Sequence, residues 1–155
     1  MVDETESTFD SDSFMNASVE GEMEIRFEPI PEGEYTAVIE NVAVKEVDGP
    51  EGKIKICDVT WDIMDEDLKT NLGREKLQVR QGVFLDVDNK GNIVIGANKN
   101  IQLGRIRAAL GQNTSSSWNF AKLLGSSPAT IKVGVKPDKD DPETLYNRVL
   151  KVSKI

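Results

Sequence analysis

Residues 74–87 read REKLQVRQGVFLDV, and the regular alternation of polar and apolar side chains in this stretch predicts a β-strand with one buried face. The side chains expected to face the core are Leu77, Val79, Val83 and Leu85. Those expected to face outward are Lys76, Gln78, Arg80 and Phe84. The turn sequence DNKGN at residues 88–92 then predicts an added hairpin that returns through residues 93–95.

Two predicted strands precede this one. Residues 34–46 and 53–64 alternate in the same way, and each shows one slip in its apolar phase. The slip near Glu40 and Asn41 predicts a β-bulge, which would bend the first strand strongly. Trp61 shares the apolar phase of the second strand, so we expect it in the core.

A helical segment and two strands follow. Residues 99–111 space their apolar side chains as a helix does, and Gly111 is the expected stop. Ser117 is expected to cap a second short helix. Residues 129–136 and 145–153 alternate again and predict the last two strands.

The predicted order is three strands, a helical segment and two strands, with residues 65–73 as an acidic connection after the second strand. This is the element order of the OB-fold, a five-stranded barrel whose helix lies between the third and fourth strands. The predicted fold class is therefore mainly β: an OB-fold-like five-stranded barrel with a helical segment between strands 3 and 4 and an extra hairpin. A generic β-barrel or β-sandwich with a helical insert is the structural alternative.

The first 24 residues differ in composition from the remainder. They hold eight acidic residues and no Lys or Arg, and their apolar residues show no sustained period. We therefore expect residues 1–24 to be an acidic disordered arm. Asp12 or Ser13 would cap a short helical turn within it. Residues 25–155 are then a single OB-like nucleic-acid-binding domain.

Charge along the chain is sorted into blocks. Residues 25–68 hold twelve acidic and four basic residues, whereas residues 69–136 hold three acidic and eleven basic residues. Residues 137–155 balance at four of each. A basic block inside a chain of net charge −8 predicts a surface that meets an anion. An acidic arm on the same chain can compete for that surface or keep the protein soluble.

The composition excludes several classes of function. The chain has no histidine, which removes Ser-His and Cys-His nucleophiles and the usual imidazole base and metal ligand. Cys57 is the only cysteine, so neither an intrachain disulfide nor a zinc-type cysteine cluster can form. The sequence contains no glycine-rich phosphate loop and no apolar run of about 20 residues. We expect a cytoplasmic protein that is not an enzyme, needs no cofactor or metal and does not enter a membrane.

Binding to a single nucleic-acid strand needs a cationic groove for the phosphates and flat side chains for the bases. The predicted third strand and its neighbours offer these groups on the outward face, namely Lys55, Arg74, Lys76, Arg80 and Phe84. In OB-folds the face of strands 2 and 3 is the usual nucleic-acid surface. Further candidates elsewhere are Lys99, Arg105, Lys132 and Tyr146. The alternative is a solvated sheet face whose basic residues serve solubility.

Five tracts, in this order, resemble a family of small tailed-phage proteins that look like single-stranded DNA-binding proteins. They are FEPIPEGEYTAVIENV (27–42), DVTWDIM (58–64), LGREKLQVRQGVFLDV (72–87), NIQLGRIRAALGQN (100–113) and YNRVLKV (146–152). The resemblance covers roughly residues 27–153. It implies an OB-like domain that coats single-stranded DNA during phage DNA replication or recombination, in the cytoplasm of the infected bacterial host.

The acidic arm has its own predicted role beside that resemblance. Phe9 and Phe14 interrupt the acidic sequence and would dock on a replication or recombination protein. Two other functions stay open. The first is a virion structural protein that binds other subunits through its barrel and arm. The second is an inhibitor whose acidic residues mimic nucleic acid.

Overall fold

A computed structural model describes residues 8–155, so the part of the predicted arm at residues 1–7 lies outside the described residues. Five strands and a few short helices make up the described chain. In chain order they are α1 (Ser11–Asn16), β1 (Gly33–Gly49), β2 (Gly52–Ile63), α2 (Glu66–Leu72), β3 (Gln78–Leu85), α3 (Ile101–Ala109), a 3-10 helix (Phe120–Leu123), β4 (Ala129–Pro137) and β5 (Leu145–Ser153). The mainly β class predicted from the alternating stretches is confirmed.

The five strands form one antiparallel sheet in the order β3-β2-β1-β4-β5. The long strand β1 pairs with β2 through residues 37–49 and with β4 through residues 33–37. Residues of β3 and β5, the two ends of this order, approach within 8 Å between Cα atoms. The sheet therefore curls until its end strands come close, but no ladder of hydrogen bonds closes it within the described chain.

The bulge predicted in the first strand is present, because the register of β1 against β2 shifts between Ile39 and Asn41. The slip predicted in the second strand is wrong. The buried side chains of β2 alternate without interruption through Cys57, and the register of β2 against β3 is unbroken. Ile56 lies instead on the outer face, where it is the Cα partner of Phe84. Two apolar residues therefore meet outside the core and imitate a slip in phase.

Local capping accounts for three further differences from the sequence prediction. The acidic stretch expected as a connection contains α2, because the Asp65 side chain accepts a hydrogen bond from Leu68 N at 3.0 Å. Gly73 ends that helix at φ +65°, a conformation that favours glycine. In α1 the cap is Asp10, not Asp12 or Ser13. The 3-10 helix begins after Asn119 with no side-chain cap, so the predicted role of Ser117 is wrong.

The predicted extra hairpin is reduced to an isolated bridge between Val87 and Ile93. The segment is held by Asn100 rather than by a strand ladder. Its side-chain amide donates to the carbonyl oxygens of Asp86 and Val94, at 3.0 and 2.8 Å. A side chain that satisfies backbone carbonyls in this way removes the need for a second strand.

The core lies on the concave side of the curled sheet and includes Trp61, as predicted. Leu103 and Ile106 of α3 and Leu123 of the 3-10 helix add to it. Gln81 is the one polar side chain in the buried class among residues 8–155, with 7% of its surface exposed. Its Oε1 accepts the indole N–H of Trp61 at 2.8 Å, which satisfies both polar atoms inside the core.

The chain joins the folded domain next to β5. Ile30 is buried, and its backbone N–H and carbonyl both bond to the side chain of Asn147 on β5. Just before it, Arg26 pairs with Asp141 in the β4–β5 loop at 3.6 Å. Residues 8–25 contain α1 and are exposed along their whole length. Within residues 8–155, no helix has the length and apolar character needed to cross a membrane.

Candidate nucleic-acid interface

The predicted outward face of the third strand is confirmed. Gln78, Arg80 and Phe84 are exposed on β3, whereas Val79 and Val83 are buried. Phe84 keeps 64% of its surface open, which leaves its ring available for stacking. Together with the outward side chains of β1 and β2, these residues form what we call the β1–β3 face.

The cations of the β1–β3 face are already paired with carboxylates. Lys45 and Arg80 both approach Asp58 Oδ2, at 2.9 and 3.7 Å. Lys76 forms an ion pair with Glu40, which also accepts a hydrogen bond from Gln78. The hydrogen bond from Lys76 holds the pKa of Glu40 below its usual value, and the same bond raises the pKa of Lys76. An anion that bound here would have to displace these partners.

Two of the predicted binding residues are engaged elsewhere. Lys55 shares the phase of buried Cys57, so it lies on the opposite side of β2 from Phe84, and the prediction that it sits beside Phe84 is wrong. Its Nζ donates to the carbonyl of Gly91 at 3.2 Å. The guanidinium of Arg74 lies 5.7 Å from the ring centroid of Phe27 and donates to the carbonyl oxygen of Glu28. Arg74 therefore anchors the incoming chain.

A second surface gathers cations that have no ion-pair partner within residues 8–155. Lys132 is the Cα partner of Lys151, and Gly134 is the Cα partner of Arg148. Residues directly opposite in an antiparallel pair share a face, so these side chains lie together with the next pair, Lys136 and Tyr146. We call this the β4–β5 surface, and its exposed bases are Lys132, Lys136, Arg148 and Lys151.

One acidic residue borders the β4–β5 surface in the ladder. Glu34 on β1 is the other Cα partner of Lys132, but it forms no ion pair among the described residues. A register shift between Lys132 and Val133 makes Leu150 an extra residue of β5. Leu150 packs over Gly134 and stays 46% exposed, so an apolar side chain stands among the cations.

A groove of about 890 Å³ runs between α3 and β5, and we call it the α3–β5 groove. Its basic residues are Arg105, Lys151 and Lys154, and no carboxylate lines it. Its apolar residues include Ile101, Ile106, Leu150 and Val152, and buried Gln81 also lines it. Leu150 and Lys151 belong both to the groove and to the β4–β5 surface, so the two are continuous.

The two arginines of α3 take different roles, as their spacing predicts. Arg105 is exposed in the groove, whereas the Arg107 guanidinium lies 4.4 Å from the ring centroid of Trp118. Trp118, which the sequence left as a candidate for exposure, is half-buried, and its N–H donates to Gln112 Oε1 at 2.8 Å. Lys99 is exposed just before α3, apart from the β1–β3 face.

Several of the clustered bases were missed by the sequence reasoning, namely Lys136, Arg148, Lys151 and Lys154. Residues 137–155 hold equal numbers of acidic and basic residues, so their block of sequence is formally neutral. The acidic members, including Asp138 and Asp141, lie in the loop between the strands or at its edge. The alternation within the last two strands contained the signal that Lys132, Lys136 and the bases of β5 would share a face.

Neither the protein-family models, the curated proteins nor the solved structures contain a match to this chain. The geometry and charge of the surfaces above therefore carry the assignment of function.

Proposed function

We propose that the protein binds single-stranded DNA and coats the strands exposed during phage DNA replication or recombination, without enzymatic activity. The observation that carries this proposal is the continuous cationic region made by the β4–β5 surface and the α3–β5 groove. Its six exposed bases have no ion-pair partner in the described chain: Arg105, Lys132, Lys136, Arg148, Lys151 and Lys154. Unpaired bases in a row can neutralise successive phosphates and release their counterions.

The strand pairing supports an OB-like barrel as the scaffold for this region. An OB-fold is a five-stranded, partly open barrel with a helix between its third and fourth strands. Here β1 is shared between β2 and β4, α3 lies between β3 and β4, and the end strands β3 and β5 approach each other. We propose that α3 covers the open seam between β3 and β5, since it contacts both.

A single strand fits this region better than a duplex. The α3–β5 groove has apolar walls beside its bases, and Tyr146 is 43% exposed on the adjoining surface. Unpaired bases can use such walls and rings, whereas the bases of a duplex are stacked within the helix. The β1–β3 face offers the Phe84 ring, but its cations are already neutralised by Glu40 and Asp58. We propose that it is a secondary contact.

A titration of fluorescent poly-deoxythymidine at two salt concentrations tests the proposal. The double variant Lys132→Ala/Lys151→Ala should bind about tenfold more weakly, because each lost phosphate contact lowers the salt slope by about 0.7. The variant Lys76→Ala/Arg80→Ala should lose less, since both cations are held by carboxylates. Salt-independent binding, or none in dilute buffer, would remove the proposed function.

A matched control keeps the change in net charge the same. The variant Lys53→Ala/Lys90→Ala removes two bases near turns and should leave the affinity close to that of the unmodified protein. If all three double variants weaken binding equally, net charge decides affinity and the β4–β5 surface is not the site.

A protein-interaction role is the second candidate, and the exposed apolar side chains of the arm favour it. Phe14, Met15, Val19 and Met23 are all exposed in an acidic segment that packs against nothing for most of its length. Exposed apolar groups of this density mark interaction sites. Co-purification of the full chain, but not of a chain lacking residues 1–24, with virions would support a structural role in the particle.

A further inference from the structure

Gln81 has an unusual place in this fold. It interrupts the apolar row of β3 between Val79 and Val83, is 93% buried by its 7% exposure, and lines the α3–β5 groove. Its neighbours in the core are apolar. A polar residue at such a position is costly unless each of its polar atoms finds a partner.

The orientation of the Gln81 amide is fixed by Trp61. The indole nitrogen can only donate, so the atom that faces it must be the carbonyl oxygen Oε1. The amide nitrogen Nε2 is thereby turned away from the indole. It donates to no group in the described chain, yet it is absent from the fully enclosed unpaired atoms and therefore retains access to solvent. The groove thus has a hydrogen-bond donor of set direction at its floor.

The rest of the groove defines what could accept that hydrogen bond. Its walls include the apolar side chains of Ile101, Leu150 and Val152, which suit the faces of a flat ring. Its bases are Arg105, Lys151 and Lys154, with no carboxylate beside them. The matching ligand has a flat apolar body, an acceptor on its edge and an attached anion, which is the chemistry of a nucleotide. The volume of about 890 Å³ lies within the range of small-molecule sites, roughly 300–1,000 Å³.

We infer that the α3–β5 groove is a base-binding pocket in which Gln81 Nε2 donates to the edge of an unstacked nucleobase. Arg105, Lys151 and Lys154 hold the flanking phosphates. This inference rests on the proposed function, because it assigns the place of one nucleotide of the bound single strand. It makes Gln81 the residue that reads the base edge, whereas the bases of the β4–β5 surface contact only the backbone.

The first test changes the ligand and leaves the protein unmodified. Oligo-deoxythymidine is compared with the same oligonucleotide carrying difluorotoluene, a thymine isostere without strong acceptors. The thymine strand should bind about three- to tenfold more tightly, the value of one neutral hydrogen bond inside a pocket. Equal affinity for the two strands would overturn the inference while leaving single-strand binding intact.

The second test changes the donor. Gln81→Met should reduce the thymine preference to about onefold, whereas Arg80→Ala on the β1–β3 face should leave that preference unchanged. Urea unfolding of Gln81→Met separates lost stability from lost recognition, because the change also removes the acceptor of the Trp61 N–H. A retained preference in folded Gln81→Met would overturn the role of Gln81.

A third arm distinguishes a strand from a free nucleotide. Thymidine 5′-monophosphate, titrated by calorimetry, should bind at least a hundredfold more weakly than the oligonucleotide, because it lacks the contacts of the β4–β5 surface. If the mononucleotide binds and no oligonucleotide does, the proposed function fails and the pocket is a free-nucleotide site. Absence of binding by every ligand would overturn both.

Discussion

Asp58 is the residue on which two cations of the β1–β3 face converge. Its Oδ2 lies 2.9 Å from Lys45 Nζ and 3.7 Å from Arg80 Nη2. Asp58→Asn would leave both cations unpaired and make the face positive. If the face is a secondary DNA contact, single-strand affinity should rise about threefold at low salt, and the salt slope should steepen.

A control for Asp58→Asn is Asp48→Asn, which removes a carboxylate paired with Lys53 near the β1–β2 turn. It has the same effect on net charge and should leave affinity nearly unchanged. The measurement is the same poly-deoxythymidine titration. An unchanged affinity in Asp58→Asn would remove the β1–β3 face from the binding surface and leave the β4–β5 surface as the sole contact.

The ion pair of Glu40 with Lys76 has a defined pH window. Lys76 holds the pKa of Glu40 below its unfolded value, so the contribution of Glu40 to stability is present above about pH 4 and lost as pH falls through the lowered pKa. The raised pKa of Lys76 has the opposite sign, so its contribution is present below about pH 10 and lost as pH rises through that raised pKa. The pair therefore acts between these limits.

Glu40→Gln tests this pH window. From pH 7 to pH 3 the unfolding free energy of the unmodified protein should fall more than that of Glu40→Gln, as measured by urea denaturation. Equal losses in the two proteins would show that the contact of Glu40 with Lys76 does not persist in solution.

At the scale of elements, α2 depends on its caps. The helix has seven residues, too few to be stable by itself, and the Asp65 side chain satisfies one of its first backbone N–H groups. Asp65→Ala should lower the unfolding free energy by about 1 kcal/mol. Asp67→Ala in the first turn removes an equal charge without a cap and should cost less. Equal losses would point to charge near the helix start instead of capping.

The elements also show which parts of the fold could be predicted. The two faces of β3 and the bulge of β1 follow from a two-residue period that is written in the sequence. The pairing of Arg80 with Asp58 does not, because the ladder of β2 with β3 joins residues far apart in the chain. The donor at Gln81 was equally hidden, since its direction depends on Trp61 across that ladder.

At the scale of the whole molecule, charge is distributed by the fold and not by blocks of sequence. Part of the basic block at residues 69–136 is neutralised, because Lys76 and Arg80 meet acidic residues of β1 and β2. The formally neutral block at residues 137–155 contributes Arg148, Lys151 and Lys154 to the cationic region. The predicted anion-binding surface thereby moves from the β1–β3 face to β4, β5 and α3.

The acidic arm enters the folded domain beside that cationic region. Residues 1–24 hold eight acidic and no basic residues, whereas the remainder of the chain is formally neutral with 19 of each. The chain enters the domain through Ile30, bonded to Asn147 of β5, so the arm is tethered next to the β4–β5 surface. A tethered anion competes at high effective concentration with any DNA bound there.

Deleting residues 1–24 should therefore tighten single-strand binding, by about three- to tenfold at low salt and less at high salt, where the competition is screened. A chain in which the eight acidic residues of the arm become Asn or Gln keeps the arm's length and its Phe9 and Phe14. It should match the deletion if charge causes the competition. If it matches the full-length protein while the deletion binds more tightly, the aromatic side chains occupy the site instead. Equal affinity of all three proteins at low salt would leave the arm as a solubilising segment and would not affect the DNA-binding proposal.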